Sequence, residues 1–238
     1  MGGSEKVSLA SWDPNGSPCL DFSGVFCNSA GNVVKIVLWN TSLGGVLSPA
    51  LAELKSLRIL TLFGNQFTGN IPAEYGGIDS LWKINFSSNA FSGSIPEFLG
   101  DLPNIRSTAS IGNCQNLEGI DLSFNGLSGS LPSQICDIPG LVYLSVRSNA
   151  LSGLVEEQVS PCQRLELLDL ASNNFSGLAP FGVLELVNLT YFNVSTNGFE
   201  GKIVNSGTCS QRLEVLDVSR NNFFGEIPLS ISKCSALK

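Results

Sequence analysis

Apolar residues recur along this chain at one fixed interval. Leu57, Leu81 and Ile105 stand 24 residues apart, and so do Leu117, Leu141, Leu165, Leu189, Leu213 and Leu237; Val33 extends the first series back by one period. A period of this length denotes a stack of like units rather than a conventional globular core. Inside each unit apolar positions alternate with a single outward one. Leu60 and Leu62 do this in one copy, Leu168 and Leu170 in another, so each pair points to one side of an extended strand. An asparagine follows three residues later, at Asn65, Asn89, Asn125, Asn149, Asn173, Asn197 and Asn221. An amide offers two donors and an acceptor, so a buried column of them can bond backbone groups of neighbouring turns. Thr41 fills the slot in the first unit and can do less. The glycine that follows, as at Gly69 or Gly177, suits a tight bend. The Ile-Pro after it opens a return path, where a missing N–H and a fixed φ do no harm. Each unit therefore predicts one short strand, a turn and an irregular or 3₁₀ return. Strands of successive units should pair in parallel, because no unit can bury its own leucines.

The unit reads LxxLxLxxNxLxGxIP, as in SLRILTLFGNQFTGNIP and RLEVLDVSRNNFFGEIP, and eight copies carry the strand pattern in phase. This is the leucine-rich-repeat signature. The LxGxIP ending resembles the plant-specific class of these repeats. The head SWDPNGSPCLDFSGVFC, with Trp12, Cys19 and Cys27, resembles the plant N-terminal cap, Phe22 standing where that cap often has tryptophan. The stretches IVLWNTSLGGVLSPAL and SLWKINFSSNAFSGSIP are similar to plant leucine-rich-repeat receptor-like serine/threonine kinases. The resemblance covers essentially the whole chain. It implies an α/β repeat fold: a right-handed leucine-rich-repeat solenoid bent into an arc, with a parallel β-sheet on the concave face and a 3₁₀ or irregular convex side. It also implies a plant-type cap over residues 1–32, repeats over 33–104 and a defective half repeat over 105–116. Repeats resume over 117–238 and stop without a C-terminal cap.

The period fails once. From Ile105 to Leu117 is 12 residues, and the segment RSTASIGNCQN between them lacks the strand pattern. An internal deletion with the register restored, or a looped-out segment, would account for it. Either predicts a disturbed ladder between Arg106 and Asn116. The chain stops inside a unit, at Leu237 and Lys238. An uncapped last turn would expose apolar edge surface, which points to a fragment or reduced gene product.

Composition narrows the function classes. The net charge is −7, with 14% charged and 43% hydrophobic residues. That balance argues against nucleic-acid partners and anionic membrane surfaces, which want basic patches. No apolar run of membrane-spanning length occurs, so membrane insertion of this chain is not expected. The start MGGSEKVSLASW lacks the apolar segment of a signal peptide. Seven cysteines is an odd number, so one at least is unpaired within the chain. The resemblance to the cap implies a Cys19–Cys27 bond in an oxidising compartment. Cys114, Cys162 and Cys234 each lie three residues before a leading leucine, a recurring slot that suggests small buried core residues. Pairing of Cys162 and Cys234 with Cys136 and Cys209 in adjacent turns is the alternative. Sequons at Asn15, Asn40, Asn85, Asn174, Asn188 and Asn193 are candidate glycan acceptors in a secreted chain.

The chain has no histidine, which removes Ser-His-Asp and Cys-His nucleophilic sites and histidine-ligated metals. No phosphate-binding loop and no kinase motif set occurs. Asp121, Asp169 and Asp217 sit in the middle of LxL. They read as solvated outward positions rather than the paired carboxylates of a glycosidase. No catalytic role and no cofactor is expected.

Recognition should then reside in the outward strand positions, which can vary without disturbing the core. Trp39, Phe63, Trp82, Phe124, Tyr143, Arg147, Tyr191 and Arg220 are candidate partner contacts, being of the types enriched in binding hot spots. Tyr143 and Tyr191 precede the first leucine of LxL, where packing competes with contact. Some plant peptide receptors hold a ligand's terminal carboxylate with two concave arginines. Arg147 stands alone here, which argues against that style of capture. A glycan on Asn85 or Asn193 would also obstruct the concave strands. The resemblance implies the extracellular recognition module of a receptor whose kinase and membrane helix are absent from this chain. Its partner would be a peptide or protein ligand, or a co-receptor with repeats of its own. A secreted inhibitor of cell-wall-degrading enzymes and a non-functional truncated product are the alternatives.

Overall fold

A computed structural model describes residues 11–13, 15–99, 117–133, 135–204 and 207–238. Each unit contributes a three-residue strand, such as Ile59–Thr61, Lys83–Asn85 or Gly119–Asp121, to a nine-stranded sheet. All its pairings are parallel except the first, where Val25–Cys27 runs antiparallel to Val33–Val37. Directly after the asparagine, each unit adds a second short strand, such as Gln66–Gly69 or Ala150–Gly153. These form an eight-stranded parallel sheet on another side of the coil. The returns are mostly 3₁₀ turns, among them Pro49–Glu53, Ala73–Gly77 and Phe181–Glu185, with one α-helical turn at Glu156–Val159.

The period-two strands and the return path enclose one continuous core. The leading leucines Leu57, Leu81, Leu117, Leu165, Leu189 and Leu213 are all fully buried, as are Phe86, Phe91, Phe175, Phe192 and Phe199. The phenylalanines stack between coils, Phe67 on Phe91 and Phe175 on Phe199. Burying a side chain of this size contributes roughly 1.5–3 kcal/mol, and half of each wall is supplied by the next coil.

The asparagines act as the sequence pattern requires. Asn173 accepts from the Leu151 N–H at 3.1 Å and donates to the carbonyls of Val146 and Leu170 at 3.0 and 3.1 Å. Asn89, Asn125, Asn149, Asn197 and Asn221 repeat this set, and Asn65 extends it to the backbone and hydroxyl of Thr41. The residue before each asparagine lies in the left-handed region, from Ser88 at φ 55° to Arg220 at 54°. Gly64 is the glycine in this series, and a Cβ there would stand 2.0 Å from Asn40 Oδ1.

Two expectations are corrected. The ladder is not broken near residue 105. Lys83–Asn85 pairs directly with Gly119–Asp121 in register, and Asn125 bonds Phe86 O and Phe91 N of the preceding coil. Both sheets therefore continue directly from the coil before Leu99 to the coil that starts at Leu117. Ile105 and the segment Arg106–Asn116 lie outside the described residues. The second correction concerns sulfur. Cys162 and Cys234 are buried, but they are not free thiols. Cys136 bonds Cys162 and Cys209 bonds Cys234, with Cα–Cα distances of 4.6 and 5.2 Å. Each pair joins the returns of adjacent coils, a proximity that is 25 or 26 residues away in sequence. Cys19 is bonded to Cys27. Cys114 lies outside the described residues.

Candidate functional site

The nine-stranded sheet presents its outward residues as columns, one residue from each unit. The column before the first buried strand residue runs Lys35, Ile59, Lys83, Gly119, Tyr143, Leu167, Tyr191 and Val215. Gly119 is a missing side chain in an otherwise filled row. It leaves a notch of about 300 Å³ walled by Lys83 and Tyr143 and edged by Trp82, Asn85, Glu118 and Asp121. A Cβ at Gly119 would meet Lys83 Cγ at 3.6 Å and Tyr143 Cβ at 4.0 Å, ordinary van der Waals contacts.

The candidate contacts do not form one cluster. Trp82 (42% exposed) and Tyr143 (36%) meet at the notch. Trp39 and Phe63 lie next to each other in successive coils, where the Asn40 N–H donates to Phe63 O. They sit at the other end of their strands, five positions further along the unit than Trp82. Phe124 and Arg220 are exposed and occupy the left-handed position before the asparagine column. Arg147 lies 3.8 Å from Asp169, which also accepts from the Ala171 N–H at 3.0 Å and the Tyr191 hydroxyl at 3.5 Å; Asn193 in turn donates to that hydroxyl at 3.0 Å. Arg147 and Tyr191 are thus tied into a network of the chain's own.

That network overturns two further expectations. Asp169 is not solvated, being only 8% exposed, although it occupies an outward slot, because Arg147 and Tyr191 close over it. Asn193 is 3% exposed, its oxygen accepting from the Ser195 N–H, so it is closed to glycosylation in the folded chain. Asn85 is half-buried, and its amide bonds Ser87 and Asp121. Asn15, Asn40, Asn174 and Asn188 are exposed.

Burial pushes the Tyr143 hydroxyl up to about 12, aided by the charges of Asp121 and Asp169. It therefore stays protonated and able to donate. Burial also raises Asp169 above the usual carboxylate range, more than the Ala171 N–H and Arg147 lower it. At Asp217 burial is the largest single influence and acts upward, but the hydrogen bonds from Ser219 and Ser195 and the charge of Arg147 together outweigh it, and the net shift is downward. The two act oppositely on stability. Asp169 is a penalty at neutral pH that fades as pH falls through its raised folded value, because the folded state takes up the proton first. The Asp217 contribution is present above the ordinary value and is lost as pH falls through its lowered one. Asp169→Asn should therefore flatten the gain in stability on mild acidification, measured by urea unfolding at neutral and mildly acidic pH. Equal pH slopes in the two chains would contradict this assignment.

Sequence reasoning missed Gly119, Glu118 and Lys83. The signal was present, a glycine in a column whose other members all carry larger side chains, but it shows only once strands are set side by side.

The parallel strands, the asparagine column and the 3₁₀ returns define a leucine-rich-repeat solenoid. The Leucine Rich Repeat family profile matches residues 56–78, 80–102, 116–138 and 212–234. Receptor-like protein kinase 7 of Arabidopsis thaliana is 40% identical over 91 residues, which is 37% of this chain and 9% of that protein. A chain of the PEPR1–AtPEP1 crystal structure superposes with a TM-score of 0.74 at 32% identity, over 98% of this chain and 34% of that one. A chain of the BIR3–SERK2 complex from Arabidopsis thaliana is 30% identical with a TM-score of 0.57, over 70% of this chain and 84% of its own. The chain belongs to the leucine-rich-repeat receptor family of plants. It spans less than a tenth of the curated relative and about a third of the PEPR1 chain. No helix among the described residues is long and apolar enough to cross a membrane.

Proposed function

We propose that this chain is a non-catalytic recognition module, acting on the extracellular side of the plasma membrane as part of a plant receptor. Its ligand is a peptide or protein segment, or a co-receptor, taken on the concave sheet. The observation that carries the reading is the notch at Gly119: a recess in an otherwise filled row, edged by a half-exposed tryptophan and tyrosine. Such residues supply large contact area at low conformational cost. The fold's likeness to the receptor kinase HAESA, solved with the peptide hormone IDA, supports a peptide as the occupant. Three disulfides among the described residues suit an oxidising compartment.

The test is to secrete the full chain with a supplied signal peptide and select binders from a phage-displayed library of random peptides. Trp82→Ala should weaken selected peptides about tenfold or more, with circular dichroism and melting unchanged, since Trp82 is half in solvent. A library that yields no binder above a denatured control, or binders indifferent to Trp82, would overturn the proposal.

A further inference from the structure

We infer that the notch at Gly119 is a subsite for a cationic side chain, an arginine or lysine of the bound segment; this rests on the concave-face reading above. Four observations converge on it. The recess exists because Gly119, itself buried, places no side chain in the row. Its rim carries two carboxylates, Glu118 and Asp121, and neither is ion-paired with a cation among the described residues. Asp121 is also oriented. Its Oδ1 accepts from the Ser123 N–H at 3.1 Å and the Ser123 hydroxyl at 2.6 Å, and its Oδ2 accepts from Asn85 Nδ2 at 3.3 Å, which leaves further acceptor capacity on Oδ2. Trp82 and Tyr143 also line it, and a cation over an aromatic face gains further attraction.

The chemistry favours a long cationic side chain over a neutral one. An apolar group in the recess would cover Asp121 and Glu118 and strip their water without return. The methylenes of arginine or lysine can lie against Trp82 and Tyr143 while the head reaches the carboxylates. Lys83 lines the notch as well, with Cγ of its aliphatic stem 3.6 Å from the position a Gly119 Cβ would take. An anionic ligand group would meet two carboxylates there against one ammonium.

Two substitutions separate shape from charge. Gly119→Leu fills the recess, and its first carbon meets only ordinary contacts. Asp121→Asn removes the charge and keeps the fold. Asparagine is native at the equivalent position Asn85, where its oxygen accepts from the Ser87 N–H and hydroxyl at 3.0 and 2.6 Å, as Asp121 does from Ser123. The probes are the peptides selected on the wild-type chain. They should share an arginine or lysine, and replacing that residue by norleucine should weaken binding about tenfold or more, as should Asp121→Asn. After Asp121→Asn, the arginine and norleucine peptides should bind almost alike. If Gly119→Leu and Trp82→Ala weaken binding while Asp121→Asn and norleucine do not, the notch takes a neutral group: the charge inference fails and the recognition reading stands. If none of the three protein substitutions matters, the recognition reading fails, and the inference with it.

Discussion

Asn173→Ala should cost the chain about 3–5 kcal/mol, the largest loss expected from any single amide in the column. The side chain is buried at 7% exposure in the middle of the stack and serves one N–H and two main carbonyls on two coils. Alanine leaves the Leu151 N–H and the carbonyls of Val146 and Leu170 without a partner where water cannot replace it, at about 1–3 kcal/mol for each group left bare. Neighbouring coils share these groups, so the damage is not confined to one unit. Asn221→Ala is the internal control. Asn221 makes the same bonds to Phe199, Val194 and Val218, but it belongs to the last coil and is only half-buried. Water can reach part of what it releases, and its loss should be clearly smaller. Urea unfolding of the two variants measures the difference. Equal small losses would mean that the column is ornament on a core held by leucine alone.

The repeat architecture was legible in the sequence because each of its devices is local. LxL fixes which residues enter the core, the asparagine follows at a fixed distance, and the glycine marks the bend. What was not legible depends on neighbours brought together across coils. Periodicity counts residues along the chain, so twelve extra ones looked like a broken ladder. The sheet counts only strands, and Lys83–Asn85 finds Gly119–Asp121 regardless. Asp169 sits in a slot that strand alternation assigns to solvent, and it is buried because Arg147 and Tyr191 reach over it from the adjacent coils. The notch is the same lesson in reverse. Gly119 is unremarkable in its own unit and becomes a recess only between Lys83 and Tyr143.

The disulfides show most directly what cross-coil neighbours add, and removing Cys136–Cys162 should cost about 3 kcal/mol. The bond joins the 3₁₀ turn Ile135–Asp137 to the residue three places beyond the helical turn Glu156–Val159, closing a loop across 26 residues. In the unfolded chain that closure removes conformational freedom, and this is the main source of the stabilisation in the chain-entropy account. The double variant Cys136→Ala, Cys162→Ala tests it against the buried-thiol role that the recurring slot suggested. If Cys162 acted only as a small core residue, reductant would lower the midpoints of the wild-type chain and the double variant by the same amount. With the bond as placed, reductant lowers the wild-type midpoint, and the double variant starts low and loses less on reduction. The remaining sensitivity reports Cys19–Cys27 and Cys209–Cys234. The latter ties the last coil to the one before it, so breaking it should fray that end first rather than unfold the middle of the stack. Hydrogen exchange localises the two effects. Protection lost around Leu144 and Leu168 follows loss of the first bond, and protection lost around Leu216 follows loss of the second.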